Sequence, residues 1–283
     1  LLKSDKDSIK SRCVIIATGG ASWPNTGSTG DGYALAASLG HALIEPNAAL
    51  APLITTEKWC KNLQGIGIEH AEIKAKLSGR KIASAVGPMI FTDDGVGGPA
   101  VFDLSRQLAN HLLDAKTSIE LNIDMFVGMN RHDLDQKLIA LCNAHSKKRI
   151  VGSLCEFFPG ALCRQLCLMA DCADATGSHL SKDKRDKLLN VMKKLTVHIV
   201  SARPIEEAAI TRGGVDTVGI DPTTMQSKLC PGLFFAGEVM DVDGPCGGYN
   251  LQIAWSTGAL AGRSAAKRSN DMKLNARLTY CSD

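Results

Sequence analysis

Residues 233–258 read "LFFAGEVMDVDGPCGGYNLQIAWSTG", and the fold class turns on them. Leu233 to Ala236 is an apolar run with the texture of a buried strand. Residues 251–266, "LQIAWSTGALAGRSAA", follow as a helix. Between Gly237 and Gly258 stand five glycines and three acids, with no lysine or arginine. A buried strand delivered to a glycine-rich turn ahead of a helix marks the carboxyl edge of an α/β sheet, where such folds bind ligands. Gly247 and Gly248 remove two Cβ atoms just before the helix, and Asn250 is expected to cap it. A glycine-lined helix start offers free N–H groups and a partial positive charge to an electron-rich ligand atom, with no need of a basic side chain. Glu238 and Asp241 would repel a phosphate, but they accept hydrogen bonds from sugar or ribityl hydroxyls. A flavin nucleotide presents both features, since charge develops near N1 and C2=O of its reduced ring.

A second segment has the same texture. Residues 12–18, "RCVIIAT", read as a buried strand closed by Gly19 and Gly20. A loop rich in glycine, serine and threonine follows, and then a helix, "DGYALAASLGH", stopped by Gly40. After Pro46 the period changes. "HAEIKAKLSGRKIASAV" alternates, with Ala71, Ile73, Ala75 and Leu77 on one face and Glu72, Lys74 and Lys76 on the other, which predicts an antiparallel hairpin turning at Ser78-Gly79. "SIELNIDM" (118–125) alternates likewise, and "GPAVFDLSRQLANHLL" between them has helical spacing. Residues 130–195 are mostly helical in pattern.

The 283 residues are 45% hydrophobic and 22% charged, with a net charge of +3, so a sizeable core is available and no nucleic-acid footprint is indicated. No apolar stretch reaches the length of a membrane-spanning helix. The ten cysteines include no C-x-x-C pair, which speaks against a metal site and for free thiols in a reducing cytoplasm. The chain opens without methionine and reads as part of something longer, a fragment whose targeting signals would lie upstream.

"VIIATGG" (14–20) resembles the strand and turn of FAD-dependent oxidoreductases of the glutathione-reductase-like superfamily. "GLFFAGEVMDVDGPCGGYNLQIAWSTG", "ASWPNTGSTGDGYALAASLGH", "IFTDDGVGGPAVFDLSR" and "AAITRGGVDT" resemble one branch, the BaiN-like or aminoacetone-oxidase-like FAD-binding flavoproteins, in that family's order. The resemblance implies an α/β FAD-binding domain interrupted by an insert with antiparallel β-barrel-like and helical parts. The expected division is 1–45 for the first part of the FAD domain and 46–126 for the antiparallel insert. The helical insert then takes 127–195, the return strands 196–216 and the C-terminal FAD part 217–283. Ala17, Thr18, Gly19 and Gly20 would lie along the FAD. Gly237 and Glu238 would meet sugar or ribityl hydroxyls. Asp241, Gly247, Gly248, Tyr249 and Asn250 would lie near the flavin.

Two departures from the family stand out. No G-x-G-x-x-G opens a helix, nor is there the acid that follows it in dinucleotide-binding units. Where family members often carry histidine after the Thr of "FT", Asp93 stands here. The expected activity is hydride transfer between flavin and a small organic substrate, with NAD(P)H as a possible donor, no nucleic-acid partner and no membrane. Tyr249, Asp93 and Thr92 are the candidates to face that substrate. The alternatives are a protein whose FAD is structural or serves a macromolecular partner, and a chain that binds no cofactor by itself.

Overall fold

The structure is a computed structural model that describes residues 2–3, 8–112 and 118–279. Its chain divides into two compact units, one of residues 1–49 with 204–283 and one of residues 50–203.

The first unit begins with β1 (Leu2–Lys3) paired to β2 (Ser8–Ile9), then β3 (Val14–Ile16), α1 (Asp31–Ser38) and β4 (Leu43–Ala49). Helix α1 ends as its sequence dictates. Gly40 takes φ +88°, its N–H meets Ala37 O at 2.9 Å, and His41 N–H reaches back to Ala36 O at 3.1 Å, closing a Schellman cap.

In the second unit β5 (Leu53–Thr55), β6 (Gly67–Leu77), β7 (Arg80–Phe91), β8 (Gly95–Gly97), β9 (Ile119–Asp124) and β10 (Leu195–Ala202) close a six-stranded antiparallel barrel in the order β10-β5-β8-β7-β6-β9. Closure leaves no unpaired strand edge. The alternation of the sequence is the alternation of the wall. Ala71, Ile73 and Ala75 are buried with Ile119, Leu121 and Ile123, while Glu72, Lys74 and Lys76 are not. Ser78 and Gly79 both have positive φ, which gives the β6–β7 hairpin a turn twisted to match its strands. Helix α2 (Pro99–Leu112) lays Val101, Leu104 and Leu108 against this core. Helices α3 (Arg131–Ala144), α4 (Ile150–Leu154), α5 (Gly160–Met169) and α6 (Lys182–Lys193) extend it. Lys193 ends α6 by donating to Asp124 Oδ2 at 2.6 Å and to the carbonyls of Phe126 and Met129.

The chain then re-enters the first unit as β11 (Ile210–Val215), β12 (Leu233–Phe235) and α7 (Tyr249–Thr279). Strand β12 runs parallel to β3, and β11 runs antiparallel to β4. Pro46, where the sequence changes texture, does not end β4. The proline falls opposite a register shift between Arg212 and Gly214, where no ladder N–H is required. Residues 204–216, expected with the insert, belong to the first unit because β11 has its partner there.

No disulfide joins the nine described cysteines, Cys281 lies outside the described residues, and no described group of three or more His, Cys, Asp or Glu could hold a metal. Among the described residues no helix is long and apolar enough to cross a membrane.

Gly95 and Gly152 separate two uses of glycine. A Cβ on Gly95 would strike the backbone of Leu53 and Ile54 across the barrel wall, whereas Gly152 lies in helix α4 with open space around it. Urea unfolding is expected to show Gly95→Ala destabilised by about 2 kcal/mol or more, and Gly152→Ala unchanged or stabilised by up to about 1 kcal/mol.

Candidate functional site

Strands β3 and β12 end side by side. Ala236 N–H donates to Ile16 O at 3.1 Å, and beyond that bond each strand breaks into a glycine turn, Gly19-Gly20 after β3 and Gly237 after β12. Gly19 and Gly237 have φ +79° and +76°, conformations that a side chain would strain. Gly20 is needed for space, since a Cβ there would overlap the Thr211 hydroxyl and a Glu238 carboxylate oxygen. Ala17 and Thr18, the last residues before the turn, are exposed.

Strand β11 ties these turns together. Thr211 is buried, and its Oγ1 accepts the N–H groups of Ala21 at 2.8 Å and Ser22 at 3.1 Å. Its own N–H donates to Glu238 Oε1 at 2.6 Å. Two residues along, Gly213 N–H donates to Asp241 Oδ1 at 3.1 Å, and between them Arg212 pairs with Asp243 at 3.9 Å. The three acids of the opening segment are therefore all held by consecutive residues of β11. That is a structural duty which the sequence reading, concerned only with ligand hydroxyls, missed. "TRGGV" carried the signal. Gly213 and Gly214 have positive φ, and a Cβ on either would collide with backbone carbonyls of Glu45 or Val239.

Asn250 does not cap α7. The helix already starts at Tyr249, and the Asn250 amide instead grips Gly244, accepting from its N–H at 2.8 Å and donating to its carbonyl at 2.9 Å. This fixes the turn ahead of Gly247 and Gly248, whose φ values are +119° and +92°. Among the described residues, chain neighbours aside, nothing lies within 4 Å of where a Gly248 side chain would begin, so none of them blocks the approach to the first turn of α7 at that point. Thr257 fastens the other side by accepting from Gly237 N–H at 2.9 Å. Tyr249 is exposed, as are Leu251 and Trp255 on the same helix. Thr92 and Asp93 stand in the second unit, in the turn between β7 and β8. There the Thr92 hydroxyl donates to Asp94 at 3.2 Å, and Arg203 bonds Asp93 at 2.6 Å and Asp94 at 2.8 Å.

One polar atom of this region is unaccounted for. Tyr33, on α1, is buried, and its hydroxyl has no hydrogen-bond partner among the described residues. It lies near Thr211 and Glu238, but the Thr211 oxygen already serves Ala21 and Ser22. Burial pushes the Tyr33 pKa up to about 12, and the Glu238 charge adds to the shift.

The chain matches the model of the HI0933-like protein Rossmann domain over residues 1–264 and belongs to that family. It is 32% identical over 273 residues to the 3-dehydro-bile acid delta(4,6)-reductase of Clostridium scindens, covering 95% of this chain and 65% of that protein. It is also 31% and 28% identical, each over 246 residues, to the ribosomal RNA dihydrouridine synthases of Haemophilus influenzae and Escherichia coli, covering 86% of this chain and 58% of each. The chain thus spans about three fifths of the length of these relatives.

Because Tyr33 ionises later in the folded chain than when unfolded, its stabilising effect is full below about pH 10 and is lost as pH rises toward about 12. Chemical denaturation across that window is expected to show a loss of stability with pH that is shallower in Tyr33→Phe.

Proposed function

We propose that the chain forms the larger part of an FAD-dependent oxidoreductase, with a glutathione-reductase-like arrangement of its first unit. The observation that carries the reading is the shared edge of β3 and β12, where two glycine turns, an oriented carboxylate and the open start of α7 converge. The residues present fit such a cofactor. Gly19 supplies the left-handed turn that ends β3 at this edge, and Gly20 makes room there for Thr211 and Glu238. Glu238 has one oxygen committed to Thr211 N–H, which orients the other toward ligand hydroxyls. The first N–H groups of α7 favour negative charge on the electron-rich edge of the flavin ring.

When bound, the flavin would supply hydride transfer, with NAD(P)H as the proposed donor. The substrate class follows from the chemistry shared by the relatives' names. A 3-oxo steroid carrying delta(4,6) unsaturation and a uridine converted to dihydrouridine both present a C=C bond conjugated to a carbonyl. We infer reduction of such a bond, with hydride delivered to the β-carbon and a proton to the α-carbon. Tyr249 is the proposed substrate-facing residue of the first unit.

An RNA substrate is the second reading. The whole-chain charge of +3, taken in the sequence to exclude nucleic acid, is an average. Residues 50–203 carry 21 Lys and Arg against 16 Asp and Glu, or +5, which leaves −2 for the remainder. A basic second unit suits a polyanion.

The test is the visible spectrum of purified protein with the family's G-x-G-x-x-G unit placed ahead of Leu1 and FAD added. A flavin band is expected, with Glu238→Gln lowering FAD affinity by about tenfold or more. Absence of the band at saturating FAD would sink the assignment. Turnover with a conjugated enone but not with uridine-containing RNA favours the first substrate reading, and the reverse favours the second.

A further inference from the structure

A cavity of about 460 Å³ opens at the far end of β12 from Gly237. Helix α7 supplies Ser264, Lys267 and Arg268 to one wall, Thr224 and Gln226 line another, and Phe234 of β12 contributes an apolar surface. From Thr257 to Arg268 the helix rises about 16 Å, and from Gly232 to Gly237 the strand covers a similar distance, so this pocket and the Glu238 edge occupy opposite ends of one helix–strand pair.

We propose that this cavity binds a phosphorylated small molecule, with Arg268 as its anchor. The Nε of Arg268 is enclosed and has no hydrogen-bond partner among the described residues. A guanidinium binds oxyanions through paired, parallel N–H groups, and with its Nε enclosed Arg268 would offer the cavity the pair on its terminal nitrogens. Ser264 lies one turn before Arg268 on α7 and can donate its hydroxyl to the same anion, beside the Lys267 ammonium. Other cations stand nearby. Arg12 reaches Ser269 O at 3.4 Å, and Lys228 bears on Asp221.

Two carboxylates line the pocket. Asp221 is already served by the Thr223 N–H at 2.9 Å and by the hydroxyls of Thr223 at 2.8 Å and Thr224 at 3.0 Å. Asp271, on α7, opposes an anion but accepts hydroxyls, which favours a phosphate monoester with a polyol body over a bare inorganic ion.

Calorimetric titration of the purified chain at matched ionic strength tests this, with glycerol 3-phosphate, inorganic phosphate and chloride as probes. Saturable binding of the monoester is expected, with inorganic phosphate weaker and chloride inert. Arg268→Lys, which keeps the charge but loses the fork, should weaken binding by about tenfold, and the exposed Lys267→Ala by several-fold. Asp271→Asn should narrow the gap between the two phosphates. Glu238→Gln should change nothing, which separates this site from the proposed flavin edge. Binding no stronger than chloride, or equal in wild type, Arg268→Lys and Lys267→Ala, overturns the proposal.

Discussion

Thr211 holds the first unit to a single strand. Its hydroxyl oxygen takes the two N–H groups that follow the β3 turn, and its own N–H takes the carboxylate that follows the β12 turn. Both turns are glycine-rich, and glycine backbone has no side chain of its own with which to brace itself. The rigidity of the edge therefore comes from β11. Two parallel strands alone make a poor platform, because parallel sheets depend on cover from both faces and on further strands. The antiparallel β4–β11 pair, fastened through Thr211 and Gly213, provides much of what the β3–β12 pair lacks.

The acids of residues 237–243 each have a partner on β11. An Asp or Glu that accepts a backbone N–H is fixed in direction, and the fixing leaves a second oxygen whose position is known. Anchoring to β11 and receiving a ligand hydroxyl are thus compatible roles for Glu238. Asp243, paired with Arg212, has its charge balanced within the protein and belongs more to the scaffold.

How much could be read in advance follows from the range of each signal. The hairpin at Ser78-Gly79 and the stop at Gly40 were legible because period and turn chemistry act within a few residues. The glycine turns after Ile16 and Phe235 were legible for the same reason. The partnership of β11 with β4 was not, because "ITRGGV" and "LIEPNAA" lie more than 150 residues apart and neither names its mate. Asn250 was misplaced by two residues of helix boundary, enough to turn an expected cap into a clamp on Gly244. Arg268 gave no signal, since a basic residue on a helix is ordinarily solvated and only its enclosed Nε marks it.

The barrel's seam has a consequence for the order of folding. Arg203 N–H donates to Pro52 O at 2.9 Å, so the second unit brings its own two ends together. Ile210 pairs with Ala49 just outside them. From the standpoint of the β4–β11 ladder, the whole barrel with its helices is then the loop of a hairpin. Closing that loop while it is unstructured costs about 2 kcal/mol more than closing one of some ten residues, because the entropy penalty grows with the logarithm of length. The central segment is therefore placed to collapse first. The outer halves, distant in sequence, would then zip together as if they were neighbours.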